Sequence, residues 1–424
     1  MNRPLIAVVL ASAAAISAPV AARPQEAPTP QSNGLNVFLD CYTYCDFDHF
    51  RREIPFVNYV RDRSDAQVHV LVTSQSTGGG GQEYRFTFIG LRQFAGREDT
   101  LHYVAGTTDT NDEERDGQTR ALKLGLMRYV ANTPIAERIE ISYRAPELEE
   151  VPAQPADDPW NFWVFRVSAG GSFDAESQQR FYRVNGSASA TRTTEAWKMY
   201  IAGRGQYSRS RYELEEDSVA VYTDDTYSLE GRLIRSLAGH WGAGVRTRVE
   251  KSIRYNQDFA ARLLTGVEFS AFPYDESTRR AVTILYSVGV AAYNYEEITV
   301  FQVMSETRFQ QALELSVSAV QPWGNMGASL EAATYLHDLH LHRIDVGVGL
   351  SLRLARGLEL NLGSNAARIK DQIYLSGAGI PEDEILLHRR ALGTDYEVGL
   401  GFSLSFTFGS IFNNVVNPRM DDFR

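Results

Sequence analysis

From Trp160 almost to the C-terminus, segment after segment alternates apolar with polar or small residues at period two. That repeat belongs to a β-strand and does not suit a helix, whose faces recur about every 3.6 residues. The plainest segment puts Tyr396, Val398, Leu400, Phe402, Leu404, Phe406 and Phe408 on one side. Glu397, Gly399, Gly401, Ser403, Ser405 and Thr407 take the other. Residues 344–354 repeat it, with Ile344, Val346, Val348, Leu350, Leu352 and Leu354 against Asp345, Gly347, Gly349, Ser351 and Arg353. Such segments meet the ~9–11 residues that cross a bilayer at the usual tilt. A soluble β-sandwich, the alternative, would need strands of only about 5–6 residues.

About twelve segments of this kind start near residues 161, 180, 196, 226, 240, 259, 280, 309, 325, 343, 357 and 395. Connections at 237–239, 321–324 and 355–357 are tight, whereas those at 213–225, 294–307 and 371–394 are long and polar. Short turns on one side and long loops on the other are the asymmetry of outer-membrane barrels. An even strand count returns both ends to the side from which the chain entered. Twelve satisfies this, as would ten or fourteen.

The rest of the chain reads as an exported leader and a small domain. Residues 1–22 have the pattern of a signal peptide, with Arg3, an apolar and small stretch over 5–18, and Val20-Ala21-Ala22 as cleavage site. Residues 23–34 form a flexible lead-in, and 145–159, Pro-rich and acidic, a linker across which few contacts should pass. Between them, 35–144 read as an α+β domain: a strand at 36–41, a helix over 47–60 capped by Asp46, and strands at 68–73 and 84–91 around a Gly-rich tip. A helix over 112–130 with Leu122, Leu126, Met127 and Val130 on one face follows, then a strand at 139–143. The expected fold is therefore mainly β: an antiparallel transmembrane β-barrel of about twelve strands over 160–424, preceded by a small α+β periplasmic domain.

Composition narrows the function classes. A formal net charge of −11 argues against a nucleic-acid partner. Mean hydropathy is −0.28, and no run past residue 20 reaches the roughly 18 apolar residues of a spanning helix. The 21 Tyr and 21 Phe suit aromatic girdles, though a soluble β protein can carry as many. Cys41 and Cys45 are the only cysteines. Such a pair can oxidise in the periplasm, stay reduced, or lend two thiolates to a metal; the disulfide is the reading taken.

Alternation directs many charges toward the expected lumen: Arg166, Arg183, Lys198, Arg204, Arg232, Arg246, Arg248 and Arg262. Opposing them are Glu230, Glu250, Glu268, Glu314, Glu331, Asp345, Glu359 and Glu397. They can zip a closed lumen by ion pairs or line a narrow selective pore. His337, His340 and His342, near Asp338, can hold a metal or form a solvated loop tip; the tip is the reading taken. No catalytic constellation is read. The outer face offers no Ser-His pair, His240 sits in a short turn, and Asp40, Asp46 and Asp48 lack a partner base. No cofactor is read either, because Gly78–Gly81 lack the Lys and Ser/Thr of a phosphate-binding loop.

Two stretches, residues 272–280 (FPYDESTRR) and 406–419 (FTFGSIFNNVVNPR), carry a resemblance. The region from 160 onward resembles the domain-of-unknown-function family of outer-membrane barrels that includes the salt-induced outer-membrane proteins. The resemblance implies a location in the outer membrane and no chemistry. The chain departs from the common barrel end by continuing past Phe408 to Arg424. Residues 65–73 (DAQVHVLVT), 84–91, Gly96 and 115–130 are similar in order to the α+β domain opening the periplasmic translocation protein TolB and the curli secretion lipoprotein. That likeness implies a periplasmic docking module. The function expected is non-enzymatic, a narrow pore or envelope-stabilising barrel, with lipid and a periplasmic protein docking on 35–144 as partners. The alternatives are an assembly or secretion component, and an outer-membrane lipase or protease.

Overall fold

A computed structural model describes residues 34–140, 158–213, 218–379, 390–412 and 414. The expected leader, most of the lead-in and residues 141–157 lie outside the described residues.

The first unit is a five-stranded mixed sheet of order β2-β1-β3-β4-β5. Its strands are β1 (Leu35–Cys41), β2 (Val57–Tyr59), β3 (Val68–Ser76), β4 (Gln82–Gly90) and β5 (Glu98–Ala105). Helix α1 (Phe47–Glu53) starts where Asp46 accepts from the His49 amide. It is half the length that the apolar spacing over 47–60 predicts. Pro55 disfavours helical backbone at Ile54, and Val57–Tyr59 instead pair parallel with Leu35–Val37. Strand β5 has no counterpart in the sequence reading. Exposed and half-buried residues alternate along this edge strand, and Glu98, Asp99, Thr100 and His102 leave it without the apolar density of β3.

Helix α2 (Asn111–Val130) opens on a capping box between Thr110 and Glu113. It buries Leu122, Leu126, Tyr129 and Val130 against Phe86, Phe88 and Phe94. Gly125 allows the approach: a Cβ there would lie 2.0 Å from the Phe88 ring. Residues 134–138 form a 3₁₀ turn, and the expected strand does not begin at Ile139 or Glu140; its remainder lies outside the described residues. Cys41 and Cys45 are joined as a disulfide at the end of β1.

The second unit is a twelve-stranded antiparallel sheet in which every strand pairs with its neighbours in sequence, from β6 (Trp163–Ala175) to β17 (Tyr396–Phe406). Strands run from 11 residues in β17 to 20 in β9 (Val219–Ala238). At the end facing the first unit the turns include Gly239–His240, Pro322–Trp323 and Arg356–Gly357. At the other end, long connections follow β12 (Arg280–Tyr295) and β16 (Leu358–Ile369), although β14 (Gly324–Tyr335) and β15 (Asp338–Ala355) join through two residues. β6 and β17 are the sheet edges and are not paired with each other among the described residues, so the expected barrel is not closed.

The two units touch directly, contrary to the expectation that few contacts pass between them. Arg353 at the end of β15 grips Asp40 at 2.5 and 2.7 Å. Arg356 pairs with Asp65 at 2.8 Å, the Gly357 amide donates to Asp62 at 2.7 Å, and Arg279 reaches Glu98 at 3.2 Å. The residues after β17 run onto edge strand β2: Val60 bridges Phe412, the Arg61 amide donates to the Ile411 carbonyl, and the Tyr59 amide donates to Asn414 Oδ1. Ile411, Phe412 and Asn414 therefore dock on the small sheet, beyond the twelfth strand.

Candidate functional site: the charged face and its two ends

Cross-strand partners in a sheet share a face, so the registers fix where each charge lies. Ser189 faces Arg166 and Ala202, Ala202 faces Glu230, Glu230 faces Arg248, and Arg248 faces Arg262. Farther along, Glu314 faces Glu331, and Glu331 faces Asp345, whose partner Ala367 faces Glu397. With strand parity, these registers put every charged position singled out from the sequence on one face, including Arg183, Lys198, Arg204, Arg232, Arg246, Glu250, Glu268 and Glu359. That face is concave, because residues of β9 through β15 line a common cavity of about 630 Å³.

In the middle of this face the charges pair. Arg246 meets Glu314 at 2.5 Å across two intervening strands. Arg248 bridges Glu230 at 2.9 Å and Glu250 at 2.7 Å, and Arg262 meets Glu250 at 3.0 Å. Arg343, not singled out from the sequence, pairs with Asp345 at 2.7 Å. Its parity with Asp345 was the available signal. Glu331 has no basic partner among the described residues.

At the long-loop end a connection folds onto the charged face. Ile373, in the connection after β16, is 2% exposed and packs with Ala260, Ala291, Tyr293, Tyr295 and Tyr335, and Tyr374 packs against them. Nothing in the sequence marks this inward fold, because a polar loop reads alike whether it points out or in. His337 bonds to Arg308, the His340 amide to Asp338, and His342 Nδ1 lies 3.2 Å from the Leu339 carbonyl. No group of three metal-ligating side chains forms among the described residues.

At the opposite end Asp40, buried in the small unit, lies between Arg353 and His69. Arg63 Nε donates to His69 Nδ1 at 3.1 Å, so His69 Nε2 carries the ring proton and donates to Asp40 at 3.0 Å. Burial would raise the Asp40 carboxyl, but hydrogen bonds from His69 and Arg353 and the charge of Arg353 together hold it below its ordinary value. Burial pushes His69 down, with the Arg63 and Arg353 charges adding to it, so the ring stays neutral despite the bond to Asp40. Of the other acids at the end of β1, Asp46 caps α1 and Asp48 pairs with Arg51 at 2.7 Å. His240 Nδ1 lies 2.7 Å from the Ser270 carbonyl. No family model matches the chain, and no curated protein matches it.

Proposed function

We propose that the chain is an outer-membrane β-barrel, closed by pairing of β6 with β17, that passes small hydrophilic solutes through a narrow charged lumen. The small domain sits at the periplasmic mouth, and the long connections face outward. One observation carries the reading. The face opposite the charges is an uncovered apolar band: Val167 is 81% exposed and Phe402 76%, with Leu233, Val267, Ile284, Val346 and Leu400 also bare. A water-facing surface rarely tolerates so large an apolar patch, whereas hydrocarbon accepts it. Closure follows from the same solvent. In lipid each unpaired backbone group on an edge costs several kcal/mol, and pairing β6 with β17 removes both edges. The paired charges and the inward loop keep the lumen narrow, which favours small steady currents over a wide pore.

Purified full-length protein in detergent should migrate faster on gels before heating than after. In planar bilayers it should give small ohmic steps. Solubility without detergent, or a mobility indifferent to heating, would overturn the barrel. A closed, heat-modifiable protein that gives no current would overturn the pore and leave the envelope-stabilising alternative.

A further inference from the structure

The paired arginines of β10 (Trp241–Ser252) and β11 (Gln257–Ser270) contrast with a second group on the same face. Arg166, Lys198, Arg204 and Arg232 line a cavity of about 720 Å³ at the domain end of β6 to β9. None of the four has a carboxylate partner among the described residues, and no acidic side chain lines the cavity. The neighbouring donors are hydroxyls, among them Ser168, Ser187 and Thr191. Four like charges around one space repel one another, and an anion there offsets that repulsion.

The small domain forms the roof. The tip of its β3–β4 hairpin, Thr77, Gly78 and Gly80, reaches the same cavity. Gly78 lies so close to the sheet that a Cβ there would stand 2.6 Å from Thr193 Cβ. The tip is itself tied down: the Gly81 amide donates to Thr77 Oγ1 at 3.0 Å, and Thr107 Oγ1 donates to the Gly79 carbonyl at 2.7 Å. Residues 78–81 lack the lysine of a phosphate-binding loop in their own sequence, but the sheet places four cations beneath them.

We propose that this cavity beneath the small domain is a binding site for a small soluble phosphate-bearing solute. Three guanidinium groups supply planar, two-pronged donors suited to phosphate oxygens, and Lys198 adds a compact charge. The hydroxyls complete the shell. The site rests on the barrel reading for its access route, but binding can be measured without any current.

Calorimetric titration of the detergent-solubilised full-length protein with inorganic pyrophosphate should show saturable binding that weakens as salt rises. The double substitution Lys198→Gln/Arg204→Gln should weaken it about tenfold or more. Gly78→Val, which leaves every cation in place, should also weaken it by forcing the roof off Thr193. Heat-dependent mobility checks that each variant is folded. No binding by folded unsubstituted protein overturns the site, as does equal affinity in the folded double variant. Should both variants misfold, failure of maltose to replace pyrophosphate keeps the site, and equal binding of maltose overturns it. Micelles doped with phosphatidylglycerol test the other phosphate source; displacement by that lipid with no pyrophosphate binding overturns a soluble ligand. Binding without current would remove the pore and leave the site standing.

Discussion

Asp40 shows how one side chain can join two units. It is almost fully buried, and its charge is met by Arg353 from the large sheet and by His69 from its own. Arg353→Met should therefore weaken docking by about 2–4 kcal/mol, because the change strands a buried carboxylate. The lower half of that range is expected, since the Arg353 side chain is 30% exposed. Faster proteolysis of the domain would report it, and adding Asp40→Asn should restore part of the loss by removing the stranded charge. No change in proteolysis would show that Arg353 does not hold the domain. The same cluster makes the stability of the small unit pH-dependent. His69 titrates below its ordinary 6.5 in the folded protein, so the unfolded state takes up the proton more readily. His69's contribution is whole above 6.5 and shrinks as the pH falls from there toward the depressed value. Asp40, held below its ordinary 3.8, keeps its contribution above that pH and loses it only lower still. Protease resistance of the domain should thus decline between pH 7 and 5, and a flat profile would show that His69 does not contribute to its stability.

At the scale of the element, β15 tests the membrane proposal. Val348 pairs with Ala328 and Ser364 on the apolar face, and Gly349 pairs with Gly327 and Gly363 on the charged one. A Cβ at Gly349 meets nothing within 4 Å. Val348→Arg should impair membrane assembly, by ~2–4 kcal/mol at mid-bilayer, while Gly349→Ser should be neutral. Heat-modifiability gels on membrane fractions separate the two, and equal assembly would mean that the faces are reversed. Helix α1 carries a different lesson. Its apolar spacing continues past Glu53, yet Pro55 and the parallel partner Leu35–Val37 turn the next residues into a strand.

Across the whole molecule, the residues after β17 tie the last strand to the first unit. A chain ending at Ser410 keeps all twelve strands but loses the partners of the Tyr59 and Arg61 amides. Hydrogen exchange at those two amides should speed up, while the amide of Val70 in central β3 stays protected. Unchanged exchange at Tyr59 and Arg61 would show that the tail does not cover β2 in solution. This docking also sets the place of the Gly78 tip, since the same contacts press the small domain against the turns of the large sheet.

The antiparallel strands, most of their starts and the face each charge occupies were legible in the chain, because period-two alternation is a local property and parity carries it from strand to strand; β9 is the exception, since it begins at Val219, inside the connection expected over 213–225. The caps at Asp46 and Thr110 are local as well, although only the first was read. Three features were settled by tertiary structure alone. Arg353 and Asp40 are 313 residues apart, and no local pattern announces a contact at that range. The segment around Ile373 folds inward because Tyr293, Tyr295 and Tyr335 offer an apolar seat that exists only once three strands have aligned. The Gly-rich tip lacks the charge of a phosphate loop when read along the chain. The cations beneath it belong to strands that come next to it only when the two units dock.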